Sequence, residues 1–476
     1  MIDLNNLTIE KAHNDIKTGK YTSVDLAKAY LNEIEKKDKE IHAYLEIYDD
    51  VIQQAQQADL RFKNGNFTKL TGIPFAIKDN ILVKGKIVSS ASKILENYHA
   101  SYDATAIERL KNAGAVFIGR TNMDEFALGG STEKSAFGVT KNPHDLNRVP
   151  GGTSGGSAAS VASNTSLVAL GSDTGGSVRQ PSAFCGVVGL KPSYGSVSRY
   201  GLMAAVSSFD QIGPIGKTVS DVEIVFNTIK GKDIHDGTTI SDDTYKRVRI
   251  GNKKPIVGIP SFFMNMGGIK KEVMDNFKQS IEKFKKLGFE VIDIDLPNAS
   301  YALPAYYIVN FAEVSSNLSR FDGVKYGLHK DGKDIIGDYF ETRGYGCGKE
   351  ARRRILLGTY VLSSGYYDAY YNRANLLRQV ITNDFINAFK KVDIIITPTT
   401  PSPAFKIGEK NNDPVSMYLE DIFTVTANLT GLPAMSIPSG YVNIEGKDLP
   451  LGIQVTARHG DEGTLFEFGK EFLGEN

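Results

Sequence analysis

Two glycine- and serine-rich segments constrain the fold of this chain more than any other feature. Residues 150–159 read PGGTSGGSAA and residues 170–177 read LGSDTGGS, and Ser177 comes 24 positions after Thr153. Glycine at this density lets the backbone adopt conformations that a Cβ atom would forbid, and it lets amide N–H groups approach a ligand closely. A single segment of this kind is most simply interpreted as a tightly packed turn. Two such segments in succession indicate a functional site.

The pattern around these segments predicts an α/β protein. Short apolar runs predict buried strands at residues 73–77, 115–118, 167–170 and 392–396. Stretches with helical spacing alternate with these runs, which favours a large mixed, mostly parallel central sheet with helices on both faces. Functional groups then belong in loops at the carboxyl ends of strands, where Lys78 and Ser177 both fall.

The domain organisation follows from length and composition. We expect residues 1–476 to form a single domain, because no repeat or low-complexity linker divides the chain. Residues from about 300 to 390 have more helical character and many tyrosines. We interpret this stretch as a helical insertion that forms one wall of the site.

Composition excludes several classes of function. Lys+Arg and Asp+Glu number 55 each, which argues against strong sequence-independent binding to nucleic acid. Cys185 and Cys347 are too few for a disulfide framework, and the seven histidines have no metal-ligand spacing, so we expect no metal site. The chain has neither the order of a secretion signal nor an apolar run of about 18 residues, so we expect a cytoplasmic protein without membrane contact.

The first glycine-rich segment has several interpretations. A phosphate-binding P-loop needs Gly-Lys-Ser/Thr, but Gly156 is followed by Ser157. Residues 152–156 formally fit the nucleophile elbow G-x-S-x-G, for which His459 is the only late histidine candidate. A packed glycine turn is the third possibility.

The second segment indicates nucleophilic chemistry. An apolar strand is followed by Thr174, Gly175 and Gly176, and then by Ser177 at a predicted helix start. This order leaves several consecutive N–H groups unpaired and pointing one way. Such a cradle can hold the oxyanion of a tetrahedral intermediate beside the attacking hydroxyl group.

Together with Lys78 upstream, the two turns resemble those of the amidase signature family, and the match continues through residues 184–192. The resemblance implies that Ser177 is the nucleophile and that Lys78 is a buried base. It also implies a relaying hydroxyl residue in a cis peptide within the first turn, here Thr153. The expected reaction is acylation of Ser177 by a carboxamide, release of ammonia and hydrolysis of the acyl-enzyme.

The implied triad is chemically coherent, with one departure from the family. Lysine can act as a base only when neutral, so its pKa must fall well below the usual value of about 10.4, for example through burial. The family usually has serine where this chain has Thr153, and Ser154 follows directly. Either Thr153 relays the proton, or Ser154 has taken that role, or the enzyme is impaired; we favour the first.

A narrower resemblance is to the glutamine-hydrolysing A subunits of tRNA-dependent amidotransferases. It is carried by residues 121–127, 198–202, 210–214, 317–323 and 364–371. It implies that glutamine is hydrolysed to glutamate and ammonia, with no cofactor in this chain. The ammonia would pass through a channel to a partner that activates tRNA-bound glutamate or aspartate with ATP and Mg²⁺. The assembly would be a heterotrimer with subunits B and C, and tRNA would be contacted mainly through the partner.

The same resemblance implies a binding pocket for a free amino acid. Arg354 would pair with the α-carboxylate, Asp421 would meet the α-ammonium group, and Tyr306 would line the pocket. Without the resemblance, the arginine would read as part of a solvated helix face and the aspartate as a helix cap. The alternatives are a stand-alone amidase acting on another carboxamide and, because of Thr153, a non-catalytic scaffold subunit.

Overall fold

The computed structural model describes residues 2–245, 254–411 and 413–475. Its centre is an 11-stranded sheet with the strand order β1-β3-β2-β4-β6-β5-β10-β11-β9-β7-β8. The strands are β1 (Tyr44–Ile47), β2 (Pro74–Lys78), β3 (Val116–Thr121), β4 (Val168–Asp173), β5 (Val188–Lys191), β6 (Gln211–Gly216), β7 (Val257–Pro260), β8 (Val291–Ile294), β9 (Ile394–Pro398), β10 (Ala434–Ile444) and β11 (Lys447–Thr456).

Helices precede, separate and follow these strands. They are α1 (Ile9–Lys17), α2 (Ser23–Ile41), α3 (Val51–Lys63), α4 (Thr105–Asn112), α5 (Gly155–Ala162), α6 (Arg179–Cys185), α7 (Val219–Ile229), α8 (Ser261–Asn265), α9 (Lys271–Lys286), α10 (Ala302–Leu318), α11 (Ile335–Gly346), α12 (Lys349–Leu362), α13 (Arg373–Ala388), α14 (Pro414–Tyr418), α15 (Val425–Leu429) and α16 (Glu462–Leu473). Helices α5, α6, α7 and α9 contact the central strands of the sheet. Within the described ranges, no helix is both long and apolar enough to span a bilayer.

The large mixed sheet is confirmed, but the expectation that it is mostly parallel is wrong. Parallel pairing joins β2 to β3 and to β4, and β7 to β8 and to β9. The other six neighbouring pairs are antiparallel. One cause is the long hairpin of β10 and β11, which reverses through Glu445 and Gly446, both at positive φ. Such a two-residue turn joins adjacent antiparallel strands without a crossover helix.

The topology brings the two predicted functional regions to one edge of the sheet. Strands β2 and β4 are parallel neighbours, with Phe75 opposite Val168 and Ile77 opposite Leu170. Both strands are buried throughout, as the continuous apolar runs predict for the interior of a sheet. Their carboxyl ends therefore lie side by side, and the chain leaves them at Lys78 and at the turn before Ser177.

The segment expected to be helical is helical. Residues 302–388, all of them described, contain α10, α11, α12, a π-helical turn at Asp368–Asn372 and α13, with no strand among them. Helix α10 packs against both α12 and α13. This arrangement places residues of α10 and α12 next to each other, which matters for the binding pocket described below.

Candidate active site

Lys78 ends strand β2 with its side chain fully buried. Its Nζ lies 2.7 Å from Thr153 Oγ1, 2.8 Å from Ser154 Oγ and 2.9 Å from Ser172 Oγ. The carbonyl oxygen of Ser172 lies 3.2 Å away. All four of these oxygens are uncharged, and no salt bridge to Lys78 is formed by the residues that the structure describes.

The surroundings of Lys78 favour the neutral amine. Burial lowers the pKa of Lys78 to about 7, although the more distant charges of Asp124, Asp173 and Asp210 favour the ammonium form. Desolvation disfavours a charged amine when no opposite charge contacts it. At neutral pH a large fraction of Lys78 is therefore able to accept a proton.

The first turn presents Thr153 and Ser154 to this amine. The peptide bond between Gly152 and Thr153 is cis, as the family resemblance implies, and helix α5 begins two residues later. A Cβ atom on Gly152 would overlap the Asp124 carboxylate, so the turn leaves no room for a side chain there. The Ser154 N–H donates to the Ser177 carbonyl oxygen at 3.0 Å, which fixes the two turns against each other.

The hydrogen bonds of the two hydroxyl groups distinguish Thr153 from Ser154. Ser154 Oγ donates to the Ser172 carbonyl oxygen at 3.1 Å and accepts from the Ser172 N–H at 3.3 Å, in addition to its contact with Lys78. Thr153 Oγ1 has Lys78 Nζ as its hydrogen-bond partner within the described chain. The Thr153 hydroxyl group therefore has free capacity for a second partner, which a proton relay requires.

Ser177 follows the second turn and is 7% exposed. Among the described residues its hydroxyl group has no hydrogen-bond partner, so the structure contains no direct bond between Ser177 Oγ and Thr153 Oγ1. Catalytic hydrogen bonds in unliganded sites are often long and tighten when the substrate binds. The position of the two turns agrees with the implied triad, while the final link of the relay stays a prediction.

One backbone amide of the second turn is not free to bind an oxyanion, contrary to the prediction. The Gly176 N–H donates to Asp173 Oδ1 at 2.9 Å, so the prediction of an unpaired amide is wrong for Gly176. Within the described ranges, the amides of Thr174, Gly175 and Ser177 have no hydrogen-bond partner. Ser177, which sequence reasoning did not include as a donor, thus replaces Gly176 among the free N–H groups of this turn.

The bond from the Gly176 N–H is one of several hydrogen bonds by which the Asp173 carboxylate holds the second turn. Its carboxylate also accepts from the Val178 N–H at 3.2 Å and from Arg179 Nε at 2.9 Å. Burial alone would raise the pKa of Asp173, but the charge and hydrogen bonds of Arg179, aided by Asn428, hold that pKa well below its usual range. This buried ion pair fixes the backbone from which the nucleophile projects.

Tyr306, which the resemblance implies as a pocket residue, lies beside the second turn. A Cβ atom on Gly175 would overlap Tyr306 Oη, so the phenol group contacts the backbone of the turn directly. The Tyr306 ring stacks on Phe209 with a centroid distance of 5.4 Å, and its hydroxyl accepts from Asn310 Nδ2 at 3.2 Å. The tyrosine therefore packs directly against the turn that carries the free amides.

Arg354 is buried between helices α10 and α12, so its interpretation as part of a solvated helix face is wrong. Its Nε donates to Glu350 at 2.9 Å and its Nη1 donates to Asn310 Oδ1 at 3.0 Å. The rings of Tyr307, Phe311 and Tyr418 surround the guanidinium group, with centroids 5.4–5.9 Å away. Nη2 has no partner among the described residues and remains available for a carboxylate.

Asp421 lies next to helix α10. It accepts from Tyr307 Oη at 2.6 Å, and Thr424, three residues further on, donates to the Gly175 carbonyl oxygen at 2.6 Å. Burial raises the pKa of Asp421 to about 7, against the opposing hydrogen bond from Tyr307 and the charge of Arg354. The structure thus brings Tyr306 and Asp421 close to the turn that precedes Ser177, and it links Arg354 to Tyr306 through Asn310.

Sequence reasoning missed the residues that hold these groups. Asn310 and Glu350 each lie four positions from the residue they support, which is the spacing of neighbours on one helix face. That spacing links Tyr306 to Asn310 and Glu350 to Arg354, and it could have indicated both pairs. Ser172, which contacts Lys78, carries no such signal, because its role comes from where strand β4 ends.

With this geometry in place, the class of protein is clear from comparison with known families. The chain belongs to the amidase family, whose model matches residues 25–466. The expected family and its fold are therefore confirmed. Membership defines the chain as an enzyme of the amidase class.

Individual relatives narrow the comparison. The chain is 49% identical to the A subunit of glutamyl-tRNA(Gln) amidotransferase from Thermoanaerobacter pseudethanolicus, covering 100% of this chain and 97% of the relative. It is 47% identical to the protein of the same name from Desulfatibacillum aliphaticivorans, and the match covers 98% of this chain and 97% of the relative. The crystal structure of the corresponding protein from Thermotoga maritima superposes with a TM-score of 0.80 at 39% identity, covering 99% and 95%. A peptide amidase from Stenotrophomonas maltophilia superposes with a TM-score of 0.82 at 26% identity, covering 99% and 97%.

Proposed function

We propose that this chain is the glutaminase component of a tRNA-dependent amidotransferase. It would supply ammonia to convert Glu-tRNA(Gln) to Gln-tRNA(Gln), Asp-tRNA(Asn) to Asn-tRNA(Asn), or both. The observation that carries the proposal is the buried Lys78 amine in contact with Thr153, on a turn that is bonded to the Ser177 turn. The names of the relatives at 47–49% identity support the same assignment.

The pocket supports glutamine as the substrate. A free amino acid carries a carboxylate and an ammonium group, and each needs an opposite charge where water is excluded. Arg354 and Asp421 supply one charge of each sign, and both contact Tyr307, the neighbour of Tyr306 in helix α10. A planar guanidinium with Nη2 free suits the α-carboxylate, and an ionised Asp421 suits the α-ammonium group.

The reaction then follows from the position of each group. Ser177 Oγ attacks the side-chain carboxamide carbon of glutamine while its proton passes through Thr153 Oγ1 to the neutral Lys78. The C=O double bond opens, and the free amides of Thr174 and Gly175 hold the resulting oxyanion. Return of the proton to the leaving nitrogen breaks the C–N bond, releases ammonia and leaves a γ-glutamyl ester on Ser177.

Water completes the cycle by the same route. Its oxygen attacks the ester carbon, its proton passes to Lys78, and the protonated relay returns a proton to Ser177 Oγ as glutamate leaves. We expect the ammonia to be used on a partner that binds ATP, Mg²⁺ and the acylated tRNA, in a heterotrimer with subunits B and C. Such a complex would work in the cytoplasm, where translation takes place.

Ammonia release from glutamine tests this proposal. The chain should be assayed alone and with subunits B and C, in the presence and absence of Glu-tRNA(Gln), ATP and Mg²⁺. We expect glutaminase activity that depends on Ser177 and that rises with the partners. A chain that hydrolyses other carboxamides equally well and is indifferent to the partners would be a stand-alone amidase, and a chain inactive under all conditions would be a scaffold.

A further inference from the structure

Two consecutive buried acids, Asp124 and Glu125, point to opposite halves of the candidate site. Asp124 accepts from the N–H groups of Thr132 at 2.8 Å and Lys134 at 2.9 Å, and it contacts Gly152 in the cis turn. It therefore supports the turn that carries Thr153. Glu125 makes none of these contacts and is directed towards helix α12.

Glu125 holds the amino-terminal end of helix α12. Its Oε2 accepts from the Gly348 N–H at 2.8 Å, and its Oε1 accepts from Ser92 Oγ at 2.6 Å. Gly348 is the N-cap residue of α12, the helix that carries Glu350 and Arg354. A Cβ atom at Gly348 would overlap Glu125 Oε2, so the backbone approaches the carboxylate as closely as glycine allows.

The backbone after Glu125 is strained in a way that fixes its direction. Phe126 and Ala127 have φ values of 50° and 61°, in the left-handed region that side chains with a Cβ atom rarely adopt. The Phe126 N–H donates to the Ser90 carbonyl oxygen at 2.9 Å, and its ring stacks on Phe321 at 5.0 Å. Strain of this kind persists only where the surroundings over-determine the conformation.

We propose that Glu125 is a positioning residue for glutamine binding, which fixes the start of helix α12 so that Arg354 stands at the correct distance from Ser177. The inference rests on the proposed function. Glu350 and Asn310 hold the guanidinium group of Arg354 from the side, but neither fixes where the helix begins. A carboxylate at this end satisfies a free N–H group and complements the helix dipole.

The test is a kinetic comparison of Glu125→Ala and Glu125→Gln with the wild-type protein. Assays at about pH 8 keep the carboxylate ionised, because burial raises the pKa of Glu125 to about 7. We expect Glu125→Ala to raise KM for glutamine about ten-fold with kcat within about two-fold of wild type. The KM of Glu125→Gln should lie between those of the wild-type protein and Glu125→Ala, because the glutamine amide oxygen can still accept from the Gly348 N–H. Glu108→Gln, which removes an exposed glutamate on α4, is the matched control and should change neither constant.

A double-mutant cycle with Arg354→Ala separates positioning from general damage. In the Arg354→Ala background, Glu125→Ala should change kcat/KM by less than about two-fold, since the group it positions is gone. A full additional ten-fold loss in that background, or a fall in kcat as large as the rise in KM, would overturn the inference. If Glu125→Ala does not fold, Glu125→Gln carries the same comparison.

The outcomes also distinguish this inference from the proposed function. If the wild-type protein releases no ammonia from glutamine, with or without partners, the proposed function fails. If it releases ammonia and both Glu125 variants keep the wild-type KM, only the positioning role fails.

Discussion

The catalytic centre and the binding pocket both bury a cation, yet they treat its charge in opposite ways. Around Lys78 the contacting atoms are four uncharged oxygens, and burial lowers the pKa of the amine to about 7. Burial alone would also lower the pKa of Arg354, but the charge of Glu350 raises it above its usual value. A contacting carboxylate thus decides whether a buried cation keeps its proton.

This difference matches the chemistry that each region would perform. A base must be neutral before it can take a proton, whereas a group that binds a carboxylate must stay charged. The carboxylates near the catalytic centre contact other groups: Asp173 pairs with Arg179, and Asp124 accepts backbone N–H groups. Removing the features that separate the two regions should therefore have effects of decreasing size, from the amine of Lys78 to the hydroxyl group of Ser154.

Removing the amine should have the largest effect. Lys78→Met keeps most of the buried volume but has no base, so we expect kcat for glutamine hydrolysis to fall by about 10³- to 10⁴-fold. Ammonia release measures this change, and Lys84→Met, at an exposed lysine, is the control. Residual activity within ten-fold of wild type would show that another group takes the proton.

Removing the relay hydroxyl should have the next largest effect. We expect Thr153→Ala to lower kcat about 100-fold, because Lys78 then has no partner that can pass a proton from Ser177. Thr153→Ser keeps the hydroxyl group and should retain activity within a few-fold. If the alanine variant were as active as wild type in the same ammonia assay, Thr153 would have no part in the relay.

Substitutions in the binding pocket should change KM much more than kcat. Arg354→Ala removes the group that we propose to bind the α-carboxylate, so we expect KM for glutamine to rise about 30-fold with a much smaller change in kcat. Steady-state kinetics separates the two constants. An unchanged KM would remove Arg354 from the pocket.

The pH dependences of kcat and KM should report on the catalytic centre and the binding pocket, respectively. Lys78 is active when neutral, so kcat should rise with pH through about 7 and gain about ten-fold between pH 6 and 8. The proposed role of Asp421, binding the α-ammonium group, needs the ionised carboxylate, so KM should fall as pH rises through about 7. Asp421→Asn should remove most of the pH dependence of KM, leaving the smaller part that Glu125 contributes through its own pKa of about 7, and should leave that of kcat. If both dependences vanished together, the two groups would not act independently.

Ser154→Ala should have the smallest effect. Its hydroxyl group already donates to Ser172, so its loss removes one neighbour of Lys78 without breaking the relay, and we expect kcat to fall less than about five-fold. A loss larger than that of Thr153→Ala, measured side by side, would transfer the relay role to Ser154.

The location of much of the catalytic centre could be predicted from the sequence because each of its groups follows a short local pattern, whereas the roles of Lys78 and Thr153 came from the family resemblance. The strand before Lys78, and the strand and turn before Ser177, are short local patterns, and the parallel pairing of β2 and β4 brings them together. The exception is the Gly176 amide, which Asp173 captures from three residues upstream. An aspartate that bonds to nearby backbone N–H groups is a local signal that could have corrected this prediction.

The binding pocket could not be derived in the same way. Arg354, Asp421 and Tyr306 came from the family resemblance alone, because they lie on separate elements that meet only in the folded chain. The contact of α10 with α12 provides Asn310 for Arg354, and no periodicity in either helix indicates it. The antiparallel pairings were missed for a related reason, since apolar runs identify strands but not the direction of their neighbours.

Reactivity of Ser177 towards an active-serine reagent tests the central claim most directly, because it needs neither glutamine nor a partner. The rate of modification by a sulfonyl fluoride should be followed by mass spectrometry as a function of pH. We predict that Ser177 is modified, that the rate rises with pH around a midpoint near 7, and that Lys78→Met abolishes it. Modification of Ser177 at an undiminished rate in Lys78→Met would contradict the account.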